Sequence, residues 1–418
     1  MALPTTTIDK YLKYYAEPDV TDLSLSRNYD QVLIIPAFDE IWQDIQKVWD
    51  AIQSNFLCII VVNSAYNHPA TQQLLQTCLN SGRVLAEGRN WHHIQGQPDL
   101  LVFNRCSDSF FVPGKEGVGL ARKIGTDAAL KLFRLGQIIS QQLCVTDADA
   151  QLPADYFQHS LNKADAGLLH AYCHHPPADA SLEYQQAMHL YELYLCYYVR
   201  GLQHANSPYA FHSLGSTIIV NPLSYAQVRG FPKRAAAEDF YLLNKLRKTG
   251  SIRQLNGTAI MLSGRPSTRV PIGTGQGIVK LLRDPDALNT KTFYNPAIFE
   301  LLKTFLTALD ASWQHGLEGS NLDQSLLHYA QQQALESKIS KLRKQCGNVE
   351  TFRKATFQWF DGFKTLKLIH YLRDQGLSDV SPASLANVAW LIEPETDRNR
   401  ERDLLKKLGI LPSQVTDP

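Results

Sequence analysis

The chain has 418 residues, with 41 Lys and Arg against 40 Asp and Glu, a formal charge of +1 and 44% hydrophobic residues. This balance gives no global attraction for nucleic acid or an anionic membrane surface, and the hydrophobic fraction is that of an ordinary globular protein. At this length there is room for two or three domains and a sizeable core.

The seven cysteines (Cys58, Cys78, Cys106, Cys144, Cys173, Cys196 and Cys346) are scattered, odd in number and never spaced as paired metal ligands. That pattern points to a reducing compartment, without a disulfide framework or a zinc site. Residues 1–30 lack the apolar core of a signal peptide, and no uninterrupted apolar run reaches spanning length. A cytoplasmic protein without a transmembrane segment is expected.

Residues 1–30 read as an irregular lead-in with some helix. Residues 31–36 (QVLIIP) form a continuous aliphatic run, the mark of a strand buried on both faces. Pro36, Ala37, Phe38, Asp39 and Glu40 end it, and a helical pattern covers 41–52. A second buried strand, 56–62, ends at Asn63 and Ser64. Strand, helix and strand at this spacing imply a right-handed βαβ unit and a parallel sheet. A third unit begins at the strand 100–103. Gly117, Gly119 and Gly125 then open a helix that carries Arg122 in its early turns. Helix N-termini attract phosphate and an Arg there reinforces the effect, although these glycines are not spaced as a dinucleotide fingerprint.

The run 143–150 (LCVTDADA) follows, an apolar β-forming stretch ending in Asp147 and Asp149 around Ala148, with Leu152-Pro153 stopping it. Residues two apart on a strand point the same way, so both carboxylates are expected to face one spot at the strand's C-terminal end. Open α/β sheets bind ligands at that edge. Two hard oxygen ligands there suit Mg²⁺ or Mn²⁺, which take their remaining ligands from water and substrate phosphates. An Asp-rich turn capping the next helix is the alternative.

Residues 181–204 are helical, and Tyr184, Tyr191, Tyr194 and Tyr198 mark a core-facing stripe. A strand is expected at 216–220 and a helix from 235 to 248, closed by Gly250. Glu238 and Asp239 lie in its first turn, where the helix dipole favours acids. A short strand at 259–262 leads into a loop with Arg265 and Arg269 among glycines, serines and threonines. That composition suits a phosphate clamp or a plain surface loop. Beyond about residue 290 the texture changes to amphipathic helices at 298–313, 322–344, 349–372, 382–392 and 399–408.

Four features thus occur in order: residues 34–40 (IIPAFDE), the glycine-rich helix with Arg122, Asp147-Ala148-Asp149, and Glu238-Asp239 before a helix. In that order the chain resembles the family 2 glycosyltransferases of the GT-A fold over residues 31–277. The resemblance implies a Rossmann-like α/β domain over 31–285, with a mostly parallel sheet flanked by helices, after the 1–30 lead-in. An all-α C-terminal domain over 286–418 follows.

The resemblance also implies a soluble, metal-dependent enzyme that moves a sugar from a nucleotide-sugar donor to an acceptor hydroxyl. Pro36, Ala37, Phe38 and Glu40 would contact the nucleotide base, joined by Asn63, where many relatives carry Asp. Gly119 and Arg122 would serve the donor diphosphate, with Lys123 standing where the family has Asn. Asp147 would hold the ribose or a metal-bound water, Ala148 would lie against the donor, and Asp149 would ligate Mg²⁺ or Mn²⁺. Asp239 would be the general base, with Glu238 its neighbour. Arg265 and Arg269 are candidates for binding a phosphate of the donor or of a charged acceptor. His212 would line the acceptor pocket or be a satisfied core histidine. The acceptor would be a small molecule, a glycan or a lipid-linked group, with no nucleic acid as partner. The C-terminal helices would bind it, form a homodimer, or pack on the sheet. Nucleotidyl transfer and a non-catalytic nucleotide-sugar scaffold are the alternative readings.

Overall fold

The computed structural model describes residues 5–107, 109–266, 273–317, 320–392 and 400–411. Arg269 lies outside them. The chain divides into two compact units, Met1–Pro177 with Ser213–Gly273, and Ala178–His212 with Thr274–Pro418.

The first unit is built on strands β1 (Gln31–Ala37), β2 (Phe56–Asn63), β3 (Val84–Glu87), β4 (Trp91–Ile94), β5 (Asp99–Arg105) and β6 (Leu143–Val145). It continues with β7 (Ala150–Gln151), β8 (Asp165–Leu169), β9 (Tyr172–His175), β10 (Ile218–Val220), β11 (Ser251–Gln254) and β12 (Ile260–Ser263). Nine of these form one sheet in the order β11-β8-β10-β6-β1-β2-β5-β4-β3, and β7, β12 and β9 form a second. The pairings leave only β10 and β4 running against the other strands of the large sheet. The mostly parallel sheet expected from the apolar runs is therefore present.

Its centre is β1 and β2, paired in parallel with Ile34 opposite Ile59 and Ala37 opposite Val62. Val32, Leu33, Ile34 and Ile35 have no exposed surface. Each such side chain contributes about 1.5–3 kcal/mol on leaving water. One face gathers Leu33, Ile35, Cys58, Ile60, Val102 and Cys144, where the cysteines act as small apolar groups. Helices α1 (Thr5–Tyr14), α2 (Trp42–Lys47), α3 (Pro69–Leu79) and α4 (Gly117–Arg134) precede α5 (Leu182–His204) of the second unit. The first unit then resumes with α6 (Pro222–Gln227) and α7 (Glu238–Leu246).

The second unit adds α8 (Thr274–Leu282), α9 (Pro296–His315), α10 (Gln324–Gln332), α11 (Leu335–Gln345), α12 (Val349–Trp359), α13 (Gly362–Asp374), α14 (Ala389–Ile392) and α15 (Arg400–Lys407). Two long helices expected from the sequence are each two. Ala334 takes a left-handed conformation (φ 47°) between α10 and α11, and Asp361 caps α13 by accepting from the Lys364 amide at 3.2 Å. Helix α5 also belongs here rather than with the sheet, because Leu193, Cys196 and Tyr197 share a core with Phe293, Ile298 and Phe299. Among the described residues, no helix is long and apolar enough to cross a membrane.

Candidate active site

Strands β2 and β6 both run parallel to β1, so their C-terminal ends and that of β1 open on one edge of the sheet. The Asn63 amide donates to the carbonyls of Ala37 and Val61, each at 3.1 Å, and ties the ends of β1 and β2 together. Pro36 and Ala37 are buried strand residues here. Asp39 turns the chain out of β1 with a left-handed φ of 56°, its amide donating to Thr71 Oγ1 at 3.0 Å. The Phe38 ring then lies 5.0 Å from the His68 ring and 6.4 Å, edge-on, from that of Tyr66. Tyr66 is 57% exposed. Sequence reasoning missed Tyr66 and His68; a pair of aromatic residues just past the end of a buried strand was the available signal.

The next strand over supplies the acids. β6 stops at Val145, so Asp147 and Asp149 are not on a strand and do not share one spot, contrary to the alternation argument. Asp147 accepts from Arg122 Nη2 through one oxygen and from the Ser216 hydroxyl through the other. Arg122 also donates through Nη1 to Glu238. Arg122 is 5% exposed and Glu238 3% exposed, so α4, α7 and the turn after β6 are clamped by one buried guanidinium. Gly215 makes room for it: a Cβ there would sit 2.3 Å from Arg122 Nη2. Arg122 is thus a strut between two acidic motifs rather than a group standing open for phosphate.

Asp149 goes elsewhere. Its Oδ2 lies 3.1 Å from Arg265 Nε, and Arg265 Nη2 donates to Glu40 on the loop after β1. Asp239, beside Glu238, accepts from the Phe240 amide at 2.7 Å. Burial raises its carboxyl pKa above the usual carboxylate value, Arg122 pulls it down, and Asp147 pushes it up again. The structure therefore forms two groups, Asp147, Glu238 and Asp239 about Arg122, and Asp149 with Glu40 about Arg265, joined by the short turn 147–149.

Two other expectations change, and the burial of His212 fits the core-histidine reading. The Gly119 amide donates to the Arg234 carbonyl at 2.9 Å, and a Cβ at Gly119 would meet Pro232 O at 2.5 Å. Residues 232–235 thus cover the start of α4, where a diphosphate was expected. They are not helical: α7 begins at Glu238, after a left-handed Ala237. Lys123 points away from the acids and donates to Tyr11 Oη at 2.7 Å, Tyr15 O at 2.9 Å and Asp127 Oδ2 at 2.8 Å, holding α1 on α4. His212 lies in the second unit, where burial and Arg400 push its pKa down to about 3 against the pull of Glu192.

Among the described residues no three His, Cys, Asp or Glu side chains are arranged as a metal cage. Mg²⁺ and Mn²⁺ need no such cage when one or two carboxylates act with substrate phosphates and water. Asp147 and Asp149 keep 35% and 28% of their side-chain surface exposed. This donor set fits a hard divalent ion.

No family model matches the chain, and no curated protein matches it. Among solved structures, a mannosyltransferase from Pyrobaculum calidifontis in complex with GDP-Man and Mn²⁺ aligns at 13% identity over 90% of this chain and 94% of that one, with a TM-score of 0.35. At that level nothing about ligand or reaction passes from one chain to the other.

Proposed function

We propose that this protein is a metal-dependent glycosyltransferase of the GT-A type, using a nucleotide-sugar donor. The observation that carries the reading is the convergence of three acidic motifs on one sheet edge. Arg122 ties Asp147 to Glu238, beside Asp239, and Arg265 ties Asp149 to Glu40, so three segments far apart in sequence are linked through the turn after β6. The C-terminal edge of such a sheet is where nucleotides bind.

Each group has a role in that reaction. Phe38, with Tyr66 and His68 beside it, offers aromatic surface to the nucleotide base, while Asn63 holds the strand ends in register beneath it. Asp149, next to Asp147, would hold Mg²⁺ or Mn²⁺, which supplies charge neutralisation to the departing diphosphate. Arg265, beside Asp149, would serve as a phosphate ligand. Asp239 takes the acceptor hydroxyl proton as that oxygen attacks the anomeric carbon and the bond to the diphosphate breaks. Its raised pKa makes the ionised carboxylate a stronger base than an ordinary Asp. Arg122, fixed by Glu238, opposes that rise and favours the ionised form.

The test is nucleoside diphosphate release from a panel of nucleotide sugars, with and without Mn²⁺ and with sugar, sugar-phosphate and polyprenyl-phosphate acceptors. Release by the wild type with one donor, lost in Asp239→Asn, is the expected result. Pyrophosphate release from a nucleoside triphosphate and a sugar phosphate would instead establish nucleotidyl transfer.

A further inference from the structure

Arg265 joins two carboxylates from different parts of the sheet. Its Nη2 donates to Glu40, after β1, and its Nε lies 3.1 Å from Asp149 Oδ2, after β6. Glu40 keeps only 7% of its side-chain surface exposed, so the guanidinium offsets a buried charge there, whereas Asp149 is far more open. A guanidinium does not lose its proton in a protein, so this pairing is relieved only by a change of partner.

Asp149 is also the carboxylate that the proposed function, on which this inference rests, gives to the divalent cation. A metal ligated by oxygen sits about 2.0–2.6 Å from it. Two cations cannot occupy that neighbourhood without strong mutual repulsion. The fork of a guanidinium displaced from Asp149 matches phosphate as well as carboxylate. We propose that Arg265 is a built-in competitor of the divalent cation at Asp149, released toward the donor diphosphate when the metal binds.

Metal and nucleotide then assist each other through this one side chain. The cation alone must dislodge a guanidinium from Asp149 and gives it nothing in exchange. With a diphosphate present, the guanidinium gains a new partner as it leaves. Because coupling between two ligands is reciprocal, removing Arg265 acts on both. It strengthens metal binding in the absence of nucleotide and weakens the gain that each ligand gives the other.

The experiment is Mn²⁺ titration of the full chain, followed by the electron paramagnetic resonance signal of the free ion. It is run without nucleotide and with UDP, GDP, CDP and ADP in turn. The proteins are the wild type, Arg265→Ala, Arg265→Gln and Asp149→Ala, with melting temperature reporting that each is folded. Both Arg265 variants are expected to bind Mn²⁺ alone more tightly than the wild type by on the order of tenfold, a usual size for such couplings. The extra affinity that a nucleoside diphosphate confers should shrink in both. Nucleotide-free affinity that is unchanged or weaker in the folded Arg265 variants, with Asp149→Ala still abolishing binding, overturns the exchange and leaves the glycosyltransferase reading standing. Wild-type Mn²⁺ binding that no diphosphate strengthens, or that survives Asp149→Ala, overturns both.

Discussion

Replacing Arg122 by Met removes the charge from the strut between Asp147 and Glu238 while keeping much of its length. Glu238, 3% exposed, would lose the guanidinium it accepts from and stay buried. Breaking a buried pair from one side costs about 3–5 kcal/mol, because the remaining charge is stranded. For a unit of roughly this size each kcal/mol moves the melting temperature by about 2–4 °C, so a drop of about 6–20 °C is expected. Adding Glu238→Gln to Arg122→Met removes the stranded charge and should restore part of the loss. Urea melts of the wild type, both single variants and the double variant complete the cycle. A cost for Arg122→Met below about 1 kcal/mol, the size of an exposed pair, with strictly additive effects in the double variant, would refute the strut.

Four further outcomes follow from the same geometry. The acid limb of the rate against pH should lie above the ordinary Asp value of 3.8, because burial raises the Asp239 carboxyl, and should move higher still in Arg122→Gln, since Arg122 opposes that rise. A raised folded-state pKa means that ionisation costs stability as the pH rises through it; Asp239→Asn should therefore melt higher than the wild type at pH 7, with the gain fading as the pH falls toward 4. Gly119→Ala places a methyl 2.5 Å from Pro232 O and 2.6 Å from Arg234 O, and chemical denaturation should show a loss of about 1–3 kcal/mol from this overpacking. Tyr66→Ala should leave the melting temperature of the free protein nearly unchanged, since that ring is exposed, yet weaken nucleotide affinity by about 1–3 kcal/mol in calorimetry, the usual worth of a base stacked on an aromatic ring.

Much of the frame was legible because burial on both faces leaves an unmistakable pattern. The runs behind β1, β2 and β5 are continuous and aliphatic, and both strand faces are covered. Strands β3, β4, β8, β9 and β11 went unread. β3 and β11 are four residues long and lie largely in contact with solvent, and β8 begins Asp-Ala-Gly, a sequence with little strand preference. The apolar period of 322–344 and of 349–372 runs through a break in each case, since a single left-handed residue or a capping Asp changes the helix axis without disturbing the hydrophobic pattern.

The site motifs were visible as residue types but not as pairs. Nothing in the spacing of Asp147 and Asp149 tells that one turns to Arg122 and the other to Arg265, because both partners arrive from distant segments. Likewise the glycines before Arg122 serve the close approach of residues 232–235, a contact across more than a hundred residues that no local pattern records.

The most direct measurement is a thermal-shift panel of nucleoside diphosphates and nucleotide sugars, with and without Mn²⁺, on the wild type and Asp149→Ala. A ligand that binds only the folded state raises the melting temperature by mass action. The expected result is stabilisation by one nucleotide sugar and its diphosphate that requires Mn²⁺ and disappears in Asp149→Ala. Absence of any shift across the panel, or a shift indifferent to both metal and Asp149, would contradict the proposed glycosyltransferase site.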